Sequence, residues 1–281
     1  MRVNKNIASL NIYRAYSENL TKQSSALGRI SSGIKINSSK DNPNAMAQSE
    51  RLRMQIRGLQ MASRNAQDSV SMIQTAEGGL DGITNSLQRA RELLVQAGGT
   101  TTSQDKETIL KEINQMLAGS EDMANSTEFN GVQLLAGGNN DGSVIIESAT
   151  GSNVGEKIGI TRYDLTTKGL KLEDENGNSL IDLNDIGNSI KLMDNAINVV
   201  IGSRSKYGAL SNRFESNYNS TTELADKVQF AESGIRDTDM AEEMMEFAKY
   251  NILIEAGNSM MAQTNKFPQD ILRVLENVRA R

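Results

Sequence analysis

The chain has 281 residues and a formal net charge of −5; only 4% of it is aromatic, and Trp, Cys and His are all absent. That length suits two or three ordinary domains, but so few aromatic side chains favour thin helical layers over one large globular core. Without His or Cys, the usual zinc site, a Ser-His-Asp triad and a cysteine nucleophile are excluded, and no disulfide staples the fold. The acidic balance argues against nucleic acid as the main partner, and no apolar run reaches the eighteen or so residues of a membrane span. The amino terminus also lacks the apolar core of a secretory signal.

Residues 4 to 36 place Ile7, Leu10, Tyr13, Leu20, Leu27 and Ile30 at helical spacing, a narrow apolar stripe that predicts an amphipathic helix. The segment 1 to 40 is basic, with Arg2, Lys5, Arg14, Lys22, Arg29, Lys35 and Lys40 against the single acid Glu18. Pro43 disfavours a helical Asn42 and pre-forms the first turn of a second helix. The pattern carries that helix from about Asn44 to Ala97, roughly 80 Å at about 1.5 Å per residue. Along it Leu52, Leu59, Ala66, Ile73, Leu80, Leu87 and Leu94 recur every seven residues, the period of a helix seam. Near its end Leu87, Ala90 and Leu94 belong to the seam, whereas Gln88, Arg89, Glu92, Leu93 and Gln96 are expected to turn away from it. Gly98-Gly99 stops the helix. After a polar turn at 100 to 103, a third helix carries Ile109, Ile113 and Leu117 and returns antiparallel to the second.

Between Asn125 and about Asp185 the chain turns to Gly, Asn, Asp, Ser and short β-branched runs. Val144-Ile145-Ile146 and Ile158-Gly159-Ile160 predict strands, and Asn176-Gly177 predicts a hairpin between 168 to 173 and 179 to 183. Asp174, Asn176 and Asn178 alternate as in a calcium loop, but Ser179 stands where that loop needs Gly and Asp185 where it needs Glu, so a turn is expected and no metal is assigned. This segment is expected to be a small, mostly β outer module that contributes little apolar surface.

From Ile186 a second seam runs through Met193, Val200, Tyr207, Phe214, Thr221, Val228 and Ile235, and breaks near Ser233-Gly234. The last helix, from about Met240, opens on an acidic cluster, Asp237, Asp239, Glu242, Glu243 and Glu246, suited to the basic amino-terminal segment. It carries two adjacent apolar columns: Met240, Phe247, Ile254 and Met261, and beside them Leu253, Met260, Phe267 and Val274. This face is expected to pack between subunits and against residues 4 to 36. It is exposed in a monomer and is expected to order once other subunits or a chaperone cover it. The methionines 240, 244, 245, 260 and 261 suit adaptable packing rather than a soft-metal site.

The fold class expected is mainly α: a long antiparallel coiled-coil rod formed by both chain ends, with a small, mostly β variable module. The segments are 1–40, an amino-terminal inner helix; 41–140 and 186–235, the two parts of a helical core; 141–185, the variable module; and 236–281, a carboxyl-terminal inner helix. Taken alone, the pattern also suits a cytoplasmic coiled-coil adaptor. A basic, Ser-rich start also fits a mitochondrial targeting peptide, which leaves the matching carboxyl-terminal helix unexplained.

A set of motifs in order narrows this. Met1-Arg-Val-Asn-Lys-Asn-Ile-Ala-Ser-Leu10, Leu27-Gly-Arg-Ile-Ser-Ser-Gly33, Asn65-Ala-Gln-Asp68, Thr75-Ala-Glu-Gly78, Leu87-Gln-Arg-Ala-Arg-Glu-Leu93 and Phe129-Asn-Gly131 are followed by Ser233-Gly-Ile-Arg-Asp-Thr-Asp-Met240 and Gln263-Thr-Asn-Lys-Phe-Pro-Gln269. Together they resemble bacterial flagellin over roughly the first 140 and last 90 residues. Asn42-Pro43-Asn44, Gly78-Gly79 and the charged end Glu276 to Arg281 depart from the usual pattern.

The resemblance implies a structural filament subunit, not an enzyme and without a cofactor, exported unfolded through the flagellar type III apparatus to an extracellular filament. Its implied partners are copies of itself, a flagellar export chaperone, the filament cap and hook-associated proteins, and the animal toll-like receptor that senses flagellin. Gln88, Arg89, Glu92, Leu93 and Gln96, with Glu112 on the next helix, match the receptor epitope and subunit contact of the family. Ile7, Leu10, Leu20, Leu27, Met240, Phe247, Leu253, Ile254, Met260, Met261 and Phe267 form the expected assembly and chaperone face. A hook-associated junction protein shares such terminal helices and is the nearest alternative.

Overall fold

The computed structural model describes residues 6–99, 102–138, 144–174 and 178–279, with the side chains at 271, 272 and 274–279 excepted. The expected turn at Asn176-Gly177, the Val274 side chain and the cations Arg2 and Lys5 lie outside the described residues. The elements in order are α1 (Ile7–Ser32), α2 (Pro43–Ala97), α3 (Ser103–Ser126), β1 (Glu128–Phe129), β2 (Val132–Gln133), β3 (Ile145–Ala149), β4 (Lys157–Thr161), α4 (Ile186–Arg236) and α5 (Met240–Arg279). The fold is mainly α with a small strand-containing middle, as the sequence predicts. Two compact units form: Met1–Arg53 with Val228–Arg281, and Met54–Lys227.

Local chemistry fixes the helix ends. Asn6 accepts from the Ser9 amide at 3.1 Å at the start of α1, and Gly33, at φ 68°, closes its other end with an amide bond to the Arg29 carbonyl at 2.8 Å. Asn42 accepts from the Ala45 amide at 3.1 Å, so Pro43 enters α2 where its missing N–H costs nothing. Thr102 and Asp105 exchange hydrogen bonds as a capping box on α3.

In the 54–227 unit the heptad prediction holds. Leu59, Ala66, Ile73, Leu80, Leu87 and Leu94 are buried on α2, and Met193, Val200, Tyr207, Phe214 and Thr221 on α4. A second register, Ala62, Ser69, Ala76, Ile83, Ala90 and Ala97, is buried three residues after each and, apart from Ile83, supplies the small side chains of the seam. Ile109, Ile113 and Leu117 of α3 join the same cluster. Each fully buried Leu or Ile contributes about 1.5–3 kcal/mol. Gly79, half of the unusual Gly-Gly pair, has a packing reason: a Cβ there would lie 2.4 Å from Thr127 Oγ1 and 2.8 Å from Leu135 Cδ1. A Cβ on Gly82 would meet Met123 Sδ at 2.5 Å, whereas at Gly78 nothing lies within 4 Å.

The middle segment holds both predicted strands: β3 and β4 pair antiparallel from Ile145 opposite Thr161 to Ala149 opposite Lys157. A two-residue turn at Asn130 and Gly131, both at positive φ, joins β1 and β2. Two expectations are corrected. Residues 168 to 171 form a turn rather than a strand, leaving one bridge between Glu173 and Ser179. And the segment does contribute apolar surface: Ile158, Ile160, Tyr163, Leu165, Leu170, Leu172, Ile181 and Leu183 are buried in the same cluster as α2, α3 and α4. These eight are turned inward while Ile145, Val154 and Leu180 stay exposed.

In the other unit α1 runs antiparallel to α5. Asn6 Nδ2 donates to the Thr264 carbonyl at 3.0 Å, Gln23 Nε2 to Asn251 Oδ1 at 3.1 Å, and Arg29 Nε to Glu243 Oε1 at 2.6 Å. The corners beyond them are joined by backbone, with the Lys35 amide on the Arg236 carbonyl at 2.7 Å and the Thr238 amide on the Gly33 carbonyl at 3.1 Å.

Candidate assembly surfaces

No described helix is long and apolar enough to cross a membrane. The first surface lies on the terminal helices. Toward α5, α1 presents Ser9, Ile12, Tyr16, Asn19, Gln23 and Ala26, while its strongest apolar residues face away: Ile7 is 66% exposed, and Leu10, Tyr13, Leu20 and Leu27 are exposed too. Within one chain only Ile30 of this stripe is half-buried, so where the last helix meets residues 4 to 36 it meets the other side of α1.

The two columns of α5 have different fates. Phe247, Ile254 and Met261 turn inward, half-buried or buried, beside Tyr250 and Gly257, whose missing side chain leaves room for Tyr16. Leu253, Met260 and Phe267 are exposed, the last by 65%, together with Met240, Met244 and Met245. In the single chain α5 is one continuous helix.

The second surface is at the end of α2. Gln88, Arg89, Glu92 and Gln96 are exposed, and Arg89 reaches Glu92 at 3.0 Å and Glu112 of α3 at 3.6 Å. These are solvent-screened pairs of small energetic weight, so they shape the surface more than they hold it. Leu93 departs from the expectation: it is 2% exposed and belongs to the core, not to the outward face. α2 packs in one cluster with both α3 and α4, so its buried arc is wider than a single seam and takes in the position beside Leu94.

The third surface surrounds the corners of the 1–53 and 228–281 unit. Arg29 binds Glu243 and also Glu246, the latter at 3.2 Å. The hydrogen bond from Arg29 holds the Glu243 carboxyl below its ordinary range and raises Arg29 in turn. Arg236 donates to Glu50 at 3.0 Å, which lowers the Glu50 carboxyl, and Ser49 donates to Glu232 at 2.8 Å. Complementary terminal charge pointed to Arg29 and Glu243; the Glu50, Glu232 and Arg236 group had no such signal, because its members lie on two helices whose pairing the charges alone do not specify.

Similarity to known proteins fits this geometry. The bacterial flagellin N-terminal helical region matches residues 3–140 and the bacterial flagellin C-terminal helical region matches residues 190–275. The chain belongs to the flagellin family. It is 40% identical to the flagellin of Bacillus subtilis strain 168, covering 98% of this chain and all of that one, and 38% identical to the flagellin of Halalkalibacterium halodurans with the same coverage. A Vibrio parahaemolyticus protein assigned as flagellar hook-associated shares the fold with a TM-score of 0.57 at 16% identity, over 70% of this chain and all of that one. As a flagellin-family chain it is a structural filament subunit, and the faces described above are surfaces of such a subunit.

Proposed function

We propose that this chain leaves the cell unfolded through the flagellar type III apparatus and polymerises outside it into the flagellar filament, with the exposed faces of α1 and α5 as the contact between copies. The observation that carries the reading is the apolar surface left on both terminal helices, Ile7, Leu10, Leu20 and Leu27 on one and Leu253, Met260 and Phe267 on the other. Surfaces of this kind on a single chain call for a partner. Lack of cysteine suits a chain that travels unfolded, since no early cross-link forms. Before export a chaperone covers the α5 face; in the filament, cap and hook-associated proteins meet the same helices at either end.

The Arg89 and Glu112 patch is proposed as a second contact between copies and as the surface read by the animal toll-like receptor. Its support is the family membership together with the exposure of Gln88, Arg89, Glu92, Gln96 and Glu112 on adjoining turns of α2 and α3.

Seeded polymerisation followed by electron microscopy and sedimentation tests the main reading. The full chain is expected to extend short filament fragments into long ones, which a hook-associated junction protein does not do. A chain lacking residues 241–281 is expected to stay soluble while keeping most of its helicity by circular dichroism. Normal filaments from the truncated chain would sink the role given to the terminal helices.

A further inference from the structure

The corner between α1 and α5 holds a cleft of about 790 Å³ whose charge is unbalanced. Six carboxylates line it, Asp41, Asp237, Asp239, Glu242, Glu243 and Glu246, against two cations, Arg29 and Lys35. Most of these acids have local work. Asp41 accepts from the Asn37 and Ser38 amides, Asp239 from the Ala241 and Glu242 amides at the start of α5, and Asp237 from the Ser233 hydroxyl. Two of the acids remain unsatisfied among the described residues, and the side chain of Lys35 in the same cleft likewise makes no hydrogen bond or ion pair. The Glu242 side chain is exposed and makes no hydrogen bond or ion pair, and Glu243, only 7% exposed, satisfies Oε1 through Arg29 and Thr238 but leaves Oε2 buried without a partner. A buried carboxylate oxygen without a donor is costly, and the exposed Glu242 beside it is the acceptor that an incoming cation reaches.

A cation of that kind stands on the exposed face of α1. Arg14 follows Leu10 by one helical turn and is exposed beside Leu10 and Tyr13. Among the described residues its side chain has neither a hydrogen bond nor an ion pair, whereas Lys22 is bound to Glu18 and Arg29 to Glu243 and Glu246. Any copy that covers the apolar face of α1 removes water from Arg14 as well, and a buried guanidinium needs a carboxylate.

We infer that the acidic cleft at Glu242 and Glu243 receives Arg14 from the α1 helix of a second copy of this chain. The two partners in this contact sit at different levels. Arg14 precedes Arg29, which lines the cleft, by fifteen residues of one helix, about 22 Å at ~1.5 Å per residue. Donor and acceptor therefore lie on separate patches, so a copy that accepts one Arg14 can offer its own to a third copy in a head-to-tail contact. Such a contact propagates. The inference rests on the proposed assembly through terminal helices and adds the charge pairing that sets its register.

The experiment uses full-length chain, seeded polymerisation and the substitutions Arg14→Glu and Glu242→Lys. Each alone is expected to raise the concentration needed for filament growth by tenfold or more, with circular dichroism unchanged. Mixed in equal amounts, the two variants are expected to co-polymerise, since the carboxylate introduced into one meets the ammonium introduced into the other while the alternate contact stays native. The double variant should polymerise by itself. Wild-type protein that fails to extend seeds would overturn the assembly reading itself. Wild-type growth matched by Arg14→Glu, or single defects that neither mixing nor the double variant repairs, would overturn this pairing and leave terminal-helix assembly standing.

Discussion

Arg29 and Glu243, 214 positions apart in the chain, meet at 2.6 Å, the shortest polar link between α1 and α5 among the described residues. Because Arg29 holds the Glu243 carboxyl below its ordinary value of 4.5, the link contributes fully above about that pH and is lost as pH falls through the depressed native value. Hydrogen exchange is the measurement. The Lys35 and Thr238 amides, which close the neighbouring corners, should lose protection on acidification in the native chain, and Glu243→Gln should lower their protection already at neutral pH.

Glycine 79 and glycine 78 should respond oppositely to alanine. Gly79→Ala drives a methyl into Thr127 and Leu135 and is expected to cost about 1–3 kcal/mol. Gly78→Ala meets open space in a helix interior and should stabilise by about 0.5–1 kcal/mol. Thermal unfolding of the two variants side by side decides it; equal effects would contradict the close approach at Gly79.

Leu93→Ala is expected to destabilise the 54–227 unit by about 2–5 kcal/mol, since it empties a core position. Arg89→Ala with Glu112→Ala should move the melting temperature by less than about 2 °C, as expected of surface changes. The double variant should nonetheless weaken both filament growth and activation of the flagellin-sensing receptor by monomer, with unchanged circular dichroism. Full signalling and normal filaments would reduce the patch to a solvated helix face. Any loss of signalling from Leu93→Ala must be compared with its loss of fold.

Replacing residues 144–180 by a Gly-Ser linker should lower the melting temperature of the 54–227 unit by more than roughly 10 °C, because Ile158, Ile160, Tyr163, Leu165, Leu170 and Leu172 leave the shared core. Scanning calorimetry reads this directly. An unchanged transition would mean that these side chains cover the helices without supporting them.

The seams were legible because a seven-residue period survives in any helix that packs along its length, and the burial of Leu59 through Leu94 and Met193 through Thr221 follows it residue by residue. The start of α2 at Asn42-Pro43 was legible for a similarly local reason, a fixed φ, whereas the Thr102 cap of α3 was not singled out. Where a periodic pattern meets two partners it misleads: Leu93 lies just outside one seam and inside the arc shared by three helices. On α1 the expected assembly stripe, Ile7, Leu10, Leu20 and Leu27, stays exposed in the single chain, and periodicity alone does not name what covers it. The face turned to α5 mixes Ile12, Tyr16 and Ala26 with Ser9, Asn19 and Gln23, so it carries no continuous apolar signature. Core residues of the middle segment were hidden for a different reason, as Leu165, Leu170 and Leu172 are held by turns that impose no period.

The pairing of α1 with α5 also sets an order of events in folding. During synthesis α1 is the first helix made and α5 the last, so a contact such as Arg29 with Glu243 closes a loop of 214 positions. Loop-closure entropy and the need to synthesise nearly the entire chain delay it, while α2 and α3 meet within a few dozen residues. The 54–227 unit should therefore gather first and the terminal pair last, which leaves both chain ends open for most of the protein's early life and gives a binding protein time to reach them.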